Sequence, residues 1–102
     1  MKEYARGEFM VVLSSREIWG EDNDEYSSTV IARFGGFNRA KYSAQKLFRA
    51  LKAEFEFDKD LDKVQCWEQE YTNCSGKPVF EQCIRIQNPV YHELCVDVLY
   101  AG

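Results

Sequence analysis

Basic and aromatic residues alternate within one ten-residue stretch of the chain, which reads RFGGFNRAKY. Its three bases and three aromatic residues are Arg33, Phe34, Phe37, Arg39, Lys41 and Tyr42. Single-stranded nucleic acid binds to surfaces of this kind, because rings stack on bases while cations meet the phosphate backbone. The composition of the stretch therefore indicates binding of an anion, and nucleic acid is the class of anion that it suits.

Positive charge continues beyond this stretch and is separated from the acidic residues of the chain. Between Arg33 and Lys52 there are six bases and no carboxylate, although the protein carries a net charge of −4. The rest of the chain has 7 bases against 17 acids. The six bases are Arg33, Arg39, Lys41, Lys46, Arg49 and Lys52. Such segregation predicts one basic face on an acidic body, and surface charge of this kind steers docking rather than folding.

Gly35 and Gly36 interrupt the basic stretch where a strand gives way to a helix. In the functional interpretation, the two glycines let the backbone approach a phosphate, and the free N–H groups of the first helical turn point towards it. In the alternative, the glycines form an ordinary turn, Phe34 and Phe37 belong to the core, and the bases solvate an outer face. The stretch matches neither a phosphate loop nor a dinucleotide fingerprint, and the aromatic signature of RNA-recognition motifs is incomplete.

The helix itself is predicted from about Arg39 to Phe55, with Asn38 as its N-cap. Apolar residues recur there at helical spacing and define one buried stripe. They are Ala40, Ala44, Leu47, Phe48, Leu51 and Phe55. The remaining bases, Lys46, Arg49 and Lys52, fall away from this stripe and could extend a phosphate track.

The charges of this helix run against its dipole. Acids in the first turn and bases in the last each stabilise an exposed helix by about 0.3–1 kcal/mol. Here Arg39 and Lys41 stand at the start, while Glu54, Glu56 and Asp58 stand at the end. A local rule broken without visible compensation indicates a functional surface.

Five strands complete the expected fold, and period-2 or continuously apolar patterns define them. They are Glu8–Ser15, Tyr26–Phe34, Val64–Tyr71, Val79–Gln87 and Tyr91–Tyr100. The order ββαβββ predicts an α+β fold, in which one amphipathic helix packs on one face of an antiparallel sheet. At 102 residues the chain has room for a single domain, which we expect to span residues 1–102.

The acidic residues of the chain suggest contacts with a protein partner. A polar loop is predicted between Arg16 and Glu25, and its candidate contacts are Trp19, Glu21, Asp22, Asp24 and Glu25. A second acidic run, Asp58, Asp60 and Asp62, resembles the start of a calcium loop. Lys63 replaces the required glycine and Gln69 the required glutamate, so a solvated loop is the better interpretation.

No set of residues predicts catalysis, and we expect no enzyme, cofactor or metal. Cys66, Cys74, Cys83 and Cys95 lack the C-x2-C spacing of zinc sites and redox pairs, so reduced packing cysteines are expected. A zinc site that uses His92 and Cys95 is the alternative. In a strand, residues three apart lie on opposite faces, which argues against His92 and Cys95 as a catalytic dyad.

The apolar run nearest the N-terminus extends only from Phe9 to Leu13 and is too short for a signal peptide or a membrane span. We therefore expect a soluble cytoplasmic protein with no membrane contact. Its oligomeric state does not follow from the sequence.

In general character the chain resembles the small phage-encoded inhibitors of host defence of the anti-CRISPR kind. The shared features are a single acidic α+β domain near one hundred residues, segregated charge and no catalytic set. The resemblance implies a protein that docks on a nucleoprotein complex and blocks its nucleic-acid channel. It includes no sequence motif, so no site residues are transferred from it. The alternatives are a free-standing nucleic-acid-binding accessory protein and a protein–protein interaction domain.

Overall fold

The structure, a computed structural model, describes residues 8–19, 23–57, 64–86 and 91–102. These residues form one helix and five strands in the predicted order ββαβββ. The elements are β1 (Phe9–Trp19), β2 (Asn23–Phe34), α1 (Phe37–Phe57), β3 (Gln65–Thr72), β4 (Pro78–Ile86) and β5 (Tyr91–Tyr100). The predicted α+β fold is thereby confirmed.

The five strands form one antiparallel sheet in the order β2-β1-β5-β4-β3. Strand β5 is central, and β2 and β3 are the edges. Strand β1 lies between β2 and β5, which explains why its run from Phe9 to Leu13 is apolar on both faces.

Helix α1 packs diagonally across one face of the sheet, against β5, β1, β4 and β2. Ala40, Ala44 and Phe48 from the predicted stripe are buried there. They cover Phe9, Val11, Val96 and Val98, whose side chains are fully buried. Small alanines at the centre of the contact let the helix lie close to the strands. No helix in the described ranges combines the length and the apolar character that a membrane span requires.

The helix begins at Phe37, two residues earlier than predicted, and ends at Phe57. The N–H of Ala40 donates to the carbonyl of Gly36 at 3.2 Å, so Gly36 precedes the first turn and Asn38 lies within it. The prediction that Asn38 is the N-cap is wrong. Phe37 is drawn into the first turn because its ring packs in the core, at 5.5 Å between centroids from Phe9.

The first hairpin is longer than its polar sequence suggested. Most of the predicted loop from Arg16 to Glu25 is strand, since β1 continues to Trp19 and β2 begins at Asn23. Arg16 and Asp24 join the two strands through a paired contact of guanidinium and carboxylate, with bonds of 3.1 and 2.8 Å. Polar strands at a solvated edge have no apolar period, which is why the sequence pattern did not reveal them.

The sheet has two unlike faces. The helix face carries the alternate residues that α1 covers, such as Phe9, Val11 and Val98. The opposite face, here called the open face, carries Met10, Val12, Cys83, Cys95 and Asp97, together with Tyr26, Val30 and Arg33 from β2. A β-bulge in β2 opposite Val11 and Val12 adds Ile31 to the strand and shifts the alternation.

Candidate nucleic-acid interface

Four exposed side chains share the outward face of α1. They follow one another at spacings of three, four and three residues, which places them on one side of a helix. They are Arg39, Tyr42, Lys46 and Arg49, and together they are called the basic helix face below. The ring of Tyr42 is 60% exposed, and Lys46 Nζ lies 5.5 Å from its centroid.

The three cations of the basic helix face have no carboxylate partner within the described residues. The neighbouring helical positions supply no carboxylate, because the sequence has none between Arg33 and Lys52. Unneutralised cations around an exposed ring can meet phosphates without breaking an existing contact.

A shallow groove of about 800 Å³ runs between α1 and β2, beside the basic helix face. Its floor is mainly apolar, with Ile31 and Phe34 from the strand and Leu47 from the helix. Arg39 and Lys46 stand at its rim. Ile31 is 48% exposed because the bulge turns it towards the groove. Apolar walls below cations suit a nucleotide, because its flat base can pack against the walls while its phosphate meets the cations.

A smaller hollow of about 270 Å³ lies at the N-terminus of α1, lined by Gly35, Gly36 and Arg39 with two further residues of the first turn. The first turn has no acidic residue. Gly35 is exposed, and a Cβ placed on it would meet no atom within 4 Å. Gly35, Gly36 and Arg39 therefore lie together, as predicted, and the hollow that they line is next to the basic helix face.

Four of the predicted site residues do not lie on this surface, and three of them are Phe37, Arg33 and Lys41. Phe37 is 6% exposed and belongs to the core. Arg33 alternates onto the open face, where its Nη1 lies 3.6 Å from Glu8 Oε2. Lys41 pairs with Glu70, with 2.6 Å between Nζ and Oε1. These three residues are removed from the candidate site.

The inverted charge pattern of the helix is confirmed in part, because Lys41 lies beyond the first turn and Asp58 lies outside the described residues. Arg39 lies in the first turn, and neither an acid in the first turn nor a base in the last turn is present. Lys52 is half-buried and makes a contact of its own, so it does not extend the basic helix face. The positive end of the helix dipole and the exposed bases thus act in the same direction, towards an anion.

The residues of the predicted acidic contact surface do not share one face of the first hairpin, because successive strand residues point to opposite faces. Asp24 lies on the open face, and its hydrogen bond with Arg16 lowers the pKa of its carboxyl. Glu25 lies on the other face, directly opposite Glu17 of β1. Trp19 is the last residue of β1, while Glu21 and Asp22 lie outside the described residues. Asp24 and Glu25 therefore cannot meet one flat partner surface together.

His92 has neighbours that the sequence did not reveal. Its Nε2 lies 3.2 Å from Ser15 Oγ and 3.5 Å from Glu17 Oε1. Only the pairing of β1 with β5 brings these side chains together, so the signal lay in the strand register. In a catalytic relay the serine and the carboxylate contact different ring nitrogens, whereas here both are at Nε2. The arrangement is therefore a polar contact between strands.

Some of the four cysteines pack against neighbouring residues, and the others are exposed on the surface. Cys83 is buried and stands directly opposite Cys95 on the open face. The hydrogen bond with Cys83, together with burial, raises the pKa of the Cys95 thiol. Cys66 and Cys74 are exposed. Cys95 and His92 lie on opposite faces of β5, as predicted, which rules out a zinc site made from these two residues.

Residues 8–19, 23–57, 64–86 and 91–102 contain no group of three or more metal-binding side chains. The calcium-like run from Asp58 to Asp62 lies outside the described residues.

Comparisons with known proteins add no relative. No protein-family model matches the chain, and no curated protein or solved structure matches it. The interpretation of the interface consequently depends on its own geometry and charge.

Proposed function

We propose that this chain is a small non-enzymatic binding protein that docks on a nucleoprotein complex and contacts its nucleic acid through the basic helix face. The observation that carries the proposal is that Arg39, Lys46 and Arg49 share one exposed helix face with the ring of Tyr42, and Lys46 Nζ lies 5.5 Å from the centre of that ring. No carboxylate within the described residues neutralises these cations.

Single-stranded nucleic acid fits this surface better than a duplex does. A duplex hides the faces of its bases, whereas an exposed aromatic ring contributes about 1–3 kcal/mol for each unstacked base that it meets. Tyr42 supplies such a ring, and the neighbouring groove gives a second base apolar walls. The basic side chains on either side of Tyr42 contact the phosphate backbone of the bound strand.

An inhibitor of a guide–effector complex is the specific form of this proposal. Such a protein would occupy the channel that normally holds nucleic acid. The acidic part of the chain would lie against the arginine and lysine side chains that line this channel. Cys74, Cys83 and Cys95 are free thiols, which is consistent with action in the cytoplasm, where thiols stay reduced. A free-standing nucleic-acid-binding accessory protein and a protein–protein interaction domain are the alternatives.

Titration of fluorescent single-stranded RNA and DNA oligonucleotides at several salt concentrations tests the proposal. Each phosphate contact on a single strand adds about 0.7 to the slope of log affinity against log salt. The variant Arg39→Gln/Lys46→Gln/Arg49→Gln should therefore lower the slope by about 2. Far-UV circular dichroism should show an unchanged fold.

Arg33→Gln is the matched control for Arg49→Gln, because each removes one exposed base from the same chain. Arg33 lies on the open face, so its loss should leave the slope unchanged. An equal effect of both substitutions would show that net charge alone causes binding and would refute a defined interface.

The alternatives differ in their response to nuclease. Immobilised protein should capture a nucleoprotein complex from host lysate, and nuclease treatment should reduce the capture. Capture of one bare protein that neither nuclease nor the triple substitution affects would identify an interaction domain instead. Binding of isolated oligonucleotides without capture of any complex would favour the accessory protein.

A further inference from the structure

We propose that two copies of this chain associate through β2, with the two strands antiparallel and Ser28 on the two-fold axis. The inference does not rest on the proposed function, although the groove that Ile31, Arg39 and Lys46 line belongs to both surfaces. It begins from the position of β2, which forms one edge of the sheet and has no partner strand on its outer side among residues 8–19, 23–57, 64–86 and 91–102, so one row of its backbone N–H and C=O groups faces outward there.

The outer strand β2 carries an unusual amount of exposed apolar surface. Six large hydrophobic side chains of the described residues are exposed, and three of them belong to β2. Tyr26 is 69% exposed, Val30 45% and Ile31 48%. Natural edge strands are usually protected by lysine, proline or a covering element. The segment from Asn23 to Ile31 contains neither lysine nor proline. Its charged residues, Asp24 and Glu25, lie near one end, the bulge at Ile31 lies at the other, and α1 covers only the later part of the strand.

The positions of these residues define one register. Tyr26 and Val30 stand two residues before and two residues after Ser28, and all three side chains lie on the open face. In an antiparallel pair centred on Ser28, Tyr26 of each copy lies directly opposite Val30 of the other. Pairs of an aromatic and a β-branched residue stabilise neighbouring strands. The same register brings Ser28 opposite its own copy.

Charge complementarity supports the same register. Glu25 faces Glu17 across the first hairpin, an unfavourable pairing of like charges. In the dimer, Glu25 lies opposite Ile31 of the second copy, beside the groove whose rim carries Arg39 and Lys46. The other edge strand, β3, contributes two of the six exposed large hydrophobic side chains, against three in β2, and its Glu70 is already paired with Lys41.

This symmetry has a consequence for the shape of the assembly. A two-fold axis through paired edge strands is perpendicular to the sheet, so both copies of α1 lie on the same side of a continuous ten-stranded sheet. Each copy buries one strand edge, which is small for a stable interface, and dissociation is therefore expected in the micromolar range or above.

Sedimentation equilibrium of the full chain over a wide concentration range, without nucleic acid, tests the association. We expect reversible dimers. The variant Val30→Lys should weaken dimerisation by at least about tenfold, since a charge replaces an apolar contact at the centre of the interface. Tyr71→Lys is the matched control, because Tyr71 is equally exposed, at 45%, but belongs to β3. A protein that stays monomeric at millimolar concentration overturns the proposal.

Cysteine crosslinking tests the register. In a Cys66→Ser/Cys74→Ser background, Ser28→Cys should form a disulfide-linked dimer under mild oxidation, because directly opposed residues are 4.5–5.5 Å apart between Cα atoms. Ser27→Cys should crosslink much less, since it faces Thr29 of the second copy. Dimers that Tyr71→Lys disrupts, or that Ser28→Cys fails to link, refute pairing through β2. Since oligonucleotides are absent from these measurements, their outcome is separate from that of the nucleic-acid proposal.

Discussion

Lys41 Nζ lies 2.6 Å from Glu70 Oε1, and the same ammonium group stands 5.1 Å from the centre of the Phe80 ring. Helix α1 is thereby tied to β3 and β4 by a base that the sequence placed among the ligand-binding residues. The charge run of the helix consequently separates into two groups. Lys41 stabilises packing, while Arg39, Lys46 and Arg49 face outwards.

Substitution of Lys41 and of Arg49 should separate these two roles. Lys41→Gln removes a half-exposed ion pair and should lower the free energy of unfolding by about 0–1 kcal/mol, without changing the salt slope of nucleic-acid binding. Arg49→Gln should change stability by less than about 0.5 kcal/mol and lower the slope by about 0.7. Urea denaturation and salt-dependent titration measure the two effects, and a lower slope for Lys41→Gln would contradict the assignment.

The two aromatic residues of the first helical turns should also differ. Phe37 is buried against Phe9, so Phe37→Ala should lower the free energy of unfolding by about 3–5 kcal/mol. Tyr42→Ala removes an exposed ring and should change stability by less than about 0.5 kcal/mol. The substitution should instead weaken the free energy of binding to single-stranded nucleic acid by about 1–3 kcal/mol. Denaturant unfolding and oligonucleotide titration test both substitutions, and full affinity in the folded Tyr42→Ala variant would remove the ring from the site.

Two glycines should respond differently to alanine. Gly76, in the turn between β3 and β4, has φ of 79°, and the turn is held by Asn73 Oδ1, which accepts the N–H groups of Ser75 and Lys77 at 3.0 Å. Gly76→Ala should destabilise the protein by about 1–2 kcal/mol. Gly35→Ala meets no neighbouring atom and should leave stability within about 0.5 kcal/mol. Thermal unfolding compares the two, and weaker nucleic-acid binding by Gly35→Ala would indicate close approach of the ligand to the backbone.

Asp97 should make stability depend on pH between about 4 and 6. Burial on the open face and the nearby carboxylates of Glu81 and Glu93 raise the pKa of Asp97 to about 6. Its Oδ1 is buried and has no hydrogen-bond partner within the described residues. The unfolded chain releases this proton near pH 4, before the folded chain does, so stability falls as pH rises through this window and is level above about pH 6.

Asp97→Asn should remove this part of the pH dependence. The side chain is only half-buried, so after allowance for solvent screening we expect the variant to gain about 1 kcal/mol at pH 7 and nothing at pH 4. Urea denaturation at half-unit intervals of pH measures the difference between the two proteins. Parallel curves for the wild type and Asp97→Asn would contradict the assignment.

The sequence by itself determined the order of elements and the apolar stripe of the helix. Ala40, Ala44 and Phe48 recur at helical spacing, and a period of this kind records burial on one side without reference to the rest of the chain. The run of β1 that is apolar on both faces likewise predicted an interior strand. Residue spacing alone placed His92 and Cys95 on opposite faces of β5. The inverted charges at the ends of α1 were also visible, because they depend only on position along the helix.

Only the tertiary structure decided which charged residues remain available to a partner. Lys41 and Arg33 carry the same charge as Arg49, but Glu70 and Glu8 approach them from segments distant in sequence. The contact of His92 with Ser15 arises in the same way, from the register of β5 against β1. Electrostatic and polar contacts act over a few ångströms in space and have no period along the chain. Their partners follow from the packing of the strands, while the hydrophobic pattern follows from the residues themselves.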